Sequence, residues 1–309
     1  MRGCSSLLTP HASLLTPLPR TNMLDHLKTL LQYLLPQHLL SRLMYVLTRA
    51  HLRVWKDWQI SWFIRRYGVD MSIAEQPDPR AYENFNSFFT RALKAGARPV
   101  AAGPNKIVCP VDGAMSQIGG ISQGRIIQAK GRDYSLVELL GGSEERAAPF
   151  FNGQFATLYL SPKDYHRIHM PVTGRLREMV YVPGRLFSVN ALSVRGIPRL
   201  FARNERVAAI FDTEIGAMAV VMVGALFVGS IETVWAGTIT PPYRSSLQRW
   251  NYQTRNIVIE RGAELGRFNM GSTVIVLFES GDVTWNPTLA AGSAIQMGQA
   301  IGRKVRGEG

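Results

Sequence analysis

Three kinds of side chain that together can attack a carbonyl occur in this chain. They are Ser272 in Gly271-Ser272-Thr273, His166 and His169 in Tyr165-His166-Arg167-Ile168-His169, and Asp112 in Pro110-Val111-Asp112-Gly113. An imidazole can take the proton of a serine hydroxyl, and a carboxylate can orient the imidazole and stabilise its protonated form. Asp112, His169 and Ser272 supply those three parts. Gly271 lacks a Cβ, so the backbone there accepts strained dihedrals and lets a hydroxyl approach its own carbonyl. Each piece also has an ordinary reading: Gly-Ser before the strand-like run Val274–Phe278 is turn chemistry, and Pro-Val-Asp-Gly is an Asx-turn. The histidines are more distinctive. His11, His26, His38 and His51 lie early in the chain, which leaves only His166 and His169 beyond them. If that segment is helical, both rings project from one face. No G-x-S-x-G elbow occurs, which disfavours a conventional serine hydrolase. No C-x-x-C or H-E-x-x-H spacing occurs, so no metal is expected.

The elements that must position these groups fall into two textures, an α+β arrangement. From Met23 the pattern is helical: Leu24, Leu27, Leu30, Leu31, Leu34 and Leu35 share one face, and Pro36 ends it. A second helix carries Leu39, Leu40, Leu43, Met44 and Leu47. A third carries Trp55, Trp58 and Trp62 beside Arg53, Lys56, Arg65 and Arg66. Tryptophan with basic residues on an amphipathic helix suits a membrane surface, and suits equally a layer packed on the protein's own core. A polar link at residues 76–79 leads to Asn84–Arg91, read as a short helix capped by asparagine. After about residue 105 short β-branched and aromatic runs alternate with Gly/Pro turns, with no βαβ rhythm. The organisation expected is a disordered leader at 1–22, a membrane-associating helical region at 23–92, and a predominantly β catalytic domain at 93–309.

Length and charge narrow the class. A chain of 309 residues that is 46% hydrophobic can build a substantial core. Only Cys4 and Cys109 occur, which argues against a disulfide framework and fits a reducing compartment. A net charge of +13 and a pI near 10.1 call for a polyanionic partner. The basic residues are threaded through apolar helices and no nucleic-acid module is visible, so anionic lipid is expected and nucleic acid is not. The run Ile215–Ile231 is uncharged but short, glycine-bearing and rich in valine, so it reads as two buried strands turning near Gly224 rather than a membrane span. On these features alone a non-catalytic peripheral membrane protein would fit as well as an enzyme.

The segments PVDGAMSQIG, IIQAKGRDYSL, YLSPKDYHRIHMP, REMVYVPGRLFSVN, LFARNERV, VGSIETVWAGTITPP and GRFNMGSTVIVLFE run in order along the chain. Together they resemble the bacterial phosphatidylserine decarboxylases, membrane-associated pyruvoyl enzymes, from about Met23 to about Phe278. Met270 stands where such proteins usually carry leucine, a volume-conserving exchange with no expected consequence. The resemblance implies that Ser272 is a cofactor precursor. Its hydroxyl would attack the Gly271 carbonyl, and the chain would part between 271 and 272 into a β chain (1–271) and an α chain (272–309). The α chain would begin with a covalent pyruvoyl group that forms a Schiff base with the substrate amine. Asp112 and His169 are then implied as the relay for self-cleavage, and His166 as the acid/base of decarboxylation. Also implied are conversion of phosphatidylserine to phosphatidylethanolamine and CO2, a homodimer of processed pairs, and a peripheral position on the cytoplasmic face of a bacterial inner membrane.

Overall fold

The computed structural model describes residues 23–305 other than 130, 228–229, 270–271 and 282, with side chains from residue 29 onward. The expected leader and Gly271 therefore lie outside the described residues. Helices come first: α1 (Met23–Leu34), α2 (Gln37–Thr48), α3 (Arg53–Tyr67) and α4 (Phe85–Phe89). Pro36 separates α1 from α2, as its missing N–H dictates. Gly68, left-handed at φ 65°, closes α3. Asn84 caps α4 by accepting from the Ser87 N–H, and the Ser87 hydroxyl reciprocates in a capping box.

The remainder is mostly β, the α+β order expected from the sequence. Its strands begin with β1 (Lys106–Val108), β2 (Gly113–Gly120), β3 (Arg125–Ala129), β4 (Arg132–Ser135), β5 (Gln154–Tyr159) and β6 (Arg167–His169). Then come β7 (Gly174–Val182), β8 (Arg206–Thr213), β9 (Gly216–Val223), β10 (Ile231–Thr233), β11 (Gly237–Thr240) and β12 (Gln248–Asn251). The last are β13 (Val258–Ile259), β14 (Glu264–Phe268), β15 (Thr273–Phe278), β16 (Val283–Trp285), β17 (Ala294–Ile295) and β18 (Ala300–Lys304).

The large antiparallel sheet runs β12-β7-β8-β9-β15-β5-β2-β17, and a second sheet runs β11-β10-β14-β6. β15 lies between β9 and β5, and every one of its residues is buried. That explains its unbroken Val/Ile/Leu run, since a strand covered on both faces has no polar side. The run Ile215–Ile231 is resolved differently from its sequence reading. The β8–β9 hairpin turns at Glu214-Ile215, with Thr213 paired to Gly216, and Gly224 instead closes the far end of β9. Among the described residues no helix is long and apolar enough to cross a membrane.

The helices pack in two ways. Ile60 and Phe63 of α3 join Val69 and Phe85, Phe88 and Phe89 in a small aromatic core. By contrast α1 and α2 dock by their polar sides. Thr29, Gln37, Ser41 and Thr48 are buried, while Leu30, Leu31, Leu34, Leu39, Leu43 and Val46 are exposed. The Gln32 and Gln37 side-chain amide oxygens accept from the Ser188 and Leu186 backbone N–H groups, at 2.9 Å each. Lys56, one of the cations beside the tryptophans of α3, is buried and bonded to Asp57 and the Arg80 carbonyl.

Candidate active site

The chemistry-bearing residues gather at one end of the large sheet. Thr273 pairs with Tyr159 on one side and with Val223 on the other. The Leu160 N–H donates to the Ser272 carbonyl (2.9 Å), so the β5–β15 ladder continues one residue past the strand and holds Ser272 at its end. Beyond β5, Ala114 pairs with Tyr159, which brings Asp112 to the same end. Gly113 (φ 149°) is required there because a Cβ would lie 2.1 Å from the Tyr159 carbonyl oxygen. Ser272 is fully buried, and among the described residues its Oγ has no hydrogen-bond partner. A buried hydroxyl left unpaired costs stability.

The chain reaches Ser272 from β14, which pairs with the histidine strand. The Phe268 N–H donates to the His166 carbonyl (3.1 Å), and Asn269 is fixed between Ser230 and the Asn86 amide of α4 (3.1 Å). α4 thus clamps both sides, because its Phe89 ring also lies 4.0 Å from the His166 ring.

His166 and His169 belong to an extended segment, not a helix. His169 ends β6 and His166 immediately precedes it, and the two rings meet different partners. His169 Nδ1 lies 2.8 Å from the Gly262 carbonyl, which fixes the proton on that nitrogen. Its Nε2 therefore offers a lone pair, which takes the Tyr165 hydroxyl at 3.0 Å. Burial pushes the His169 pKa below its ordinary value, and pushes the Tyr165 hydroxyl up to about 12. His166 Nδ1 is held by the Asp164 carbonyl at 2.7 Å, while its Nε2 is buried with no partner among the described residues. Complete burial, with the Arg91 guanidinium nearby, lowers the His166 pKa to about 3, so the ring is neutral at physiological pH.

Asp112 and His169 lie on neighbouring segments, tied by the His169 N–H to the Pro110 carbonyl (2.8 Å), but the two side chains are not bonded to each other. The Asp112 carboxylate accepts from Arg98 Nε (2.9 Å) and Nη2 (2.6 Å) and from the Met297 N–H (2.8 Å). Its negative charge acts on the His169 ring through space.

A family model described as phosphatidylserine decarboxylase matches residues 85–303, and a second, described as PSD, matches residues 27–68. A phosphatidylserine decarboxylase proenzyme from Ectopseudomonas mendocina is 58% identical over 282 residues, covering 91% of this chain and 99% of that protein. Proteins of the same name from Pseudomonas aeruginosa and Stutzerimonas stutzeri are 58% and 57% identical, covering 90% and 91% of this chain and 96% and 95% of their own lengths. The chain belongs to the phosphatidylserine decarboxylase family. It is a carboxy-lyase.

Within this decarboxylase, sequence reasoning passed over two residues that touch the expected relay. Tyr165 stood in plain view beside His166, and its contact with His169 comes from the turn that precedes β6. Arg98 gave no signal, because its bidentate grip on Asp112 depends on a loop crossing that no local pattern encodes. Among the described residues no cluster of His, Cys, Asp or Glu is arranged to hold a metal ion.

Proposed function

We propose that this chain is a self-processing enzyme that decarboxylates phosphatidylserine to phosphatidylethanolamine through a pyruvoyl group made from Ser272. The observation that carries the reading is the fully buried Ser272 hydroxyl, with no partner among the described residues, at the end of a ladder that fixes its backbone. Ser272 Oγ attacks the Gly271 carbonyl carbon and the peptide nitrogen leaves, giving an ester. Loss of the Ser272 α-proton then expels the Gly271 carboxylate and leaves a dehydroalanine at 272. Water converts that residue to a pyruvoyl group and releases ammonia. The residues fit such a group: no hydrogen bond at Ser272 Oγ has to be broken, and the neighbouring His166 strand offers a second bare atom, Nε2. When present, the pyruvoyl carbonyl takes the substrate amine as a Schiff base and draws electrons from the breaking carboxylate bond.

His169 and Asp112 are assigned to self-cleavage. With its proton fixed on Nδ1 by Gly262, His169 has Nε2 free to act as base once Tyr165 yields it. His166 is assigned to decarboxylation. The approach of the anionic headgroup favours its protonated form, so Nε2 changes from lone pair to donor as the carboxylate arrives.

The substrate lies in a bilayer, and the outward leucines of α1 and α2 supply a face for it. Arg42 on α2 and Arg53, Arg65 and Arg66 on α3 are exposed, each worth about 1 kcal/mol near an anionic surface. Peripheral binding at the cytoplasmic side of a bacterial inner membrane accords with this surface.

The test is mass spectrometry of purified protein with lipid headgroup analysis. The reading expects two chains, with the 272–309 fragment blocked to Edman degradation. Ser272→Ala should stay full-length and leave phosphatidylserine unchanged. Cleavage at 271/272 in that variant would refute the proposal.

A further inference from the structure

Glu205 is 1% exposed, and neither self-cleavage nor the role given to His166 employs it. The register of the large sheet puts it in line with Ser272. Arg206 pairs with Val223, and Val223 pairs with Thr273. The Gly224 N–H donates to the Glu205 carbonyl (2.8 Å), so the same ladder extends one residue to give the row Glu205, Gly224, Ser272. Side chains opposite one another in an antiparallel ladder share a face. Glu205 and Ser272 therefore project the same way from α-carbons about 10 Å apart, at roughly 4.8 Å per strand. The residue between them, Gly224, has no side chain, and the tip of Leu186 lies over it, 3.3 Å from where a Cβ would stand.

The environment of Glu205 is that of a base held in reserve. Its Oε2 accepts from the Tyr181 hydroxyl (3.1 Å), while Oε1 has no partner among the described residues. Burial raises its pKa to about 7, partly offset by the Tyr181 and Thr240 hydroxyls. The other charged or titratable groups on this side are Tyr243 and Arg244 of the loop after β11, with His38, Arg42 and Tyr45 of α2 and Arg49 just past its end facing Tyr243. The adjacent Arg206 is directed to the other face, where it is spent on the Glu138, Leu139 and Asn204 carbonyls. Glu205 thus lies between Ser272 and the group that ties the loop to α2, the helix whose leucines face outward.

Resting on the pyruvoyl reading of Ser272, we propose that Glu205 accepts a proton from the substrate's ammonium group and thereby delivers a neutral amine to residue 272. The primary ammonium of phosphatidylserine has no lone pair and cannot attack a carbonyl. Transfer of one N–H proton to Glu205 Oε1 leaves the nitrogen with the electron pair that forms its bond to the residue 272 carbonyl carbon. The two histidines are given other tasks, His169 in self-cleavage and His166 at the substrate carboxylate, which leaves Glu205 for the amine.

The experiment traps the amine. Processed protein is incubated with phosphatidylserine in mixed micelles and cyanoborohydride, and the adduct on the 272–309 fragment is followed by mass across pH. In the wild-type chain the adduct rate should rise with pH through about 7, where Glu205 becomes the carboxylate. Glu205→Gln should cleave itself normally but trap about 10²-fold more slowly at neutral pH. Its profile should follow the amine's own deprotonation, so that the deficit closes in alkali. Tyr181→Phe keeps the carboxyl and removes a hydrogen bond that favours its charge, so the midpoint should move up. In uncut Ser272→Ala, the carboxyl infrared band lost on adding Glu205→Gln should titrate near neutrality. A cut Glu205→Gln chain with wild-type rate and profile overturns the proposal, as does a midpoint unmoved by Tyr181→Phe. A wild-type chain that is never cut defeats instead the pyruvoyl reading on which the proposal stands.

Discussion

The helices α1 and α2 and the strand β15 carry similarly apolar sequences and put them to opposite uses. β15 buries every residue between two partner strands. α1 and α2 turn their leucines outward and hold the protein with glutamine, serine, threonine and backbone contacts. Hydrophobic content therefore does not say where a residue sits; what decides is whether a complementary surface exists to receive it. In the β domain the neighbouring strands supply one. For α1 and α2 the protein offers a polar ledge at residues 184–193, so the apolar stripe is left for another apolar phase.

Mutations can break that contrast. The largest effect is expected at the Ser272 end of the sheet, where His169→Ala should abolish the proposed self-cleavage, seen as a single band on a denaturing gel. Next comes Leu277→Ala in β15, which should cost about 2–5 kcal/mol in urea unfolding because it opens a cavity between two strands. Gln37→Ala should cost about 1–3 kcal/mol, since it strands the buried Leu186 N–H. Leu39→Ala on the outer face should change stability by no more than about 0.5 kcal/mol. Its effect should appear instead as weaker flotation with anionic vesicles. Should Leu39→Ala destabilise the fold as Leu277→Ala does, the two regions are not different in kind.

A pH dependence sharpens the same comparison. His166 in the folded β domain has its pKa lowered to about 3, well under the ordinary histidine value of 6.5. Between those values the unfolded chain binds the extra proton, so stability falls as pH drops through that window. His166→Phe should flatten that acid limb in urea titrations, whereas changes to the outward leucines should leave it untouched.

The candidate residues could be named from the chain itself: Asp112, His166, His169 and Ser272 carry groups suited to carbonyl chemistry, and the family resemblance supplied the roles proposed for them. The helices, their break at Pro36 and the buried run Thr273–Phe278 followed from periodicity. The two histidines were harder. Their spacing suits one helical face, but pairing with β14 draws the segment into a strand, and the rings meet different partners. The partners of Asp112 and His169 were not legible at all, because Arg98 and Gly262 approach from distant loops.

What the sequence alone determined are the local quantities: which residues carry reactive groups, which stretches are apolar, and at what period. Those depend on covalent neighbours and on the geometry of a helix or strand. Only the tertiary structure decided which way α1 and α2 face, which hydroxyl meets His169, and that Glu205 shares a row with Ser272. Each of these depends on strand register or on a receiving surface contributed by residues far away in the chain, and a one-residue slip in register would turn the Glu205 carboxyl to the other side of the sheet.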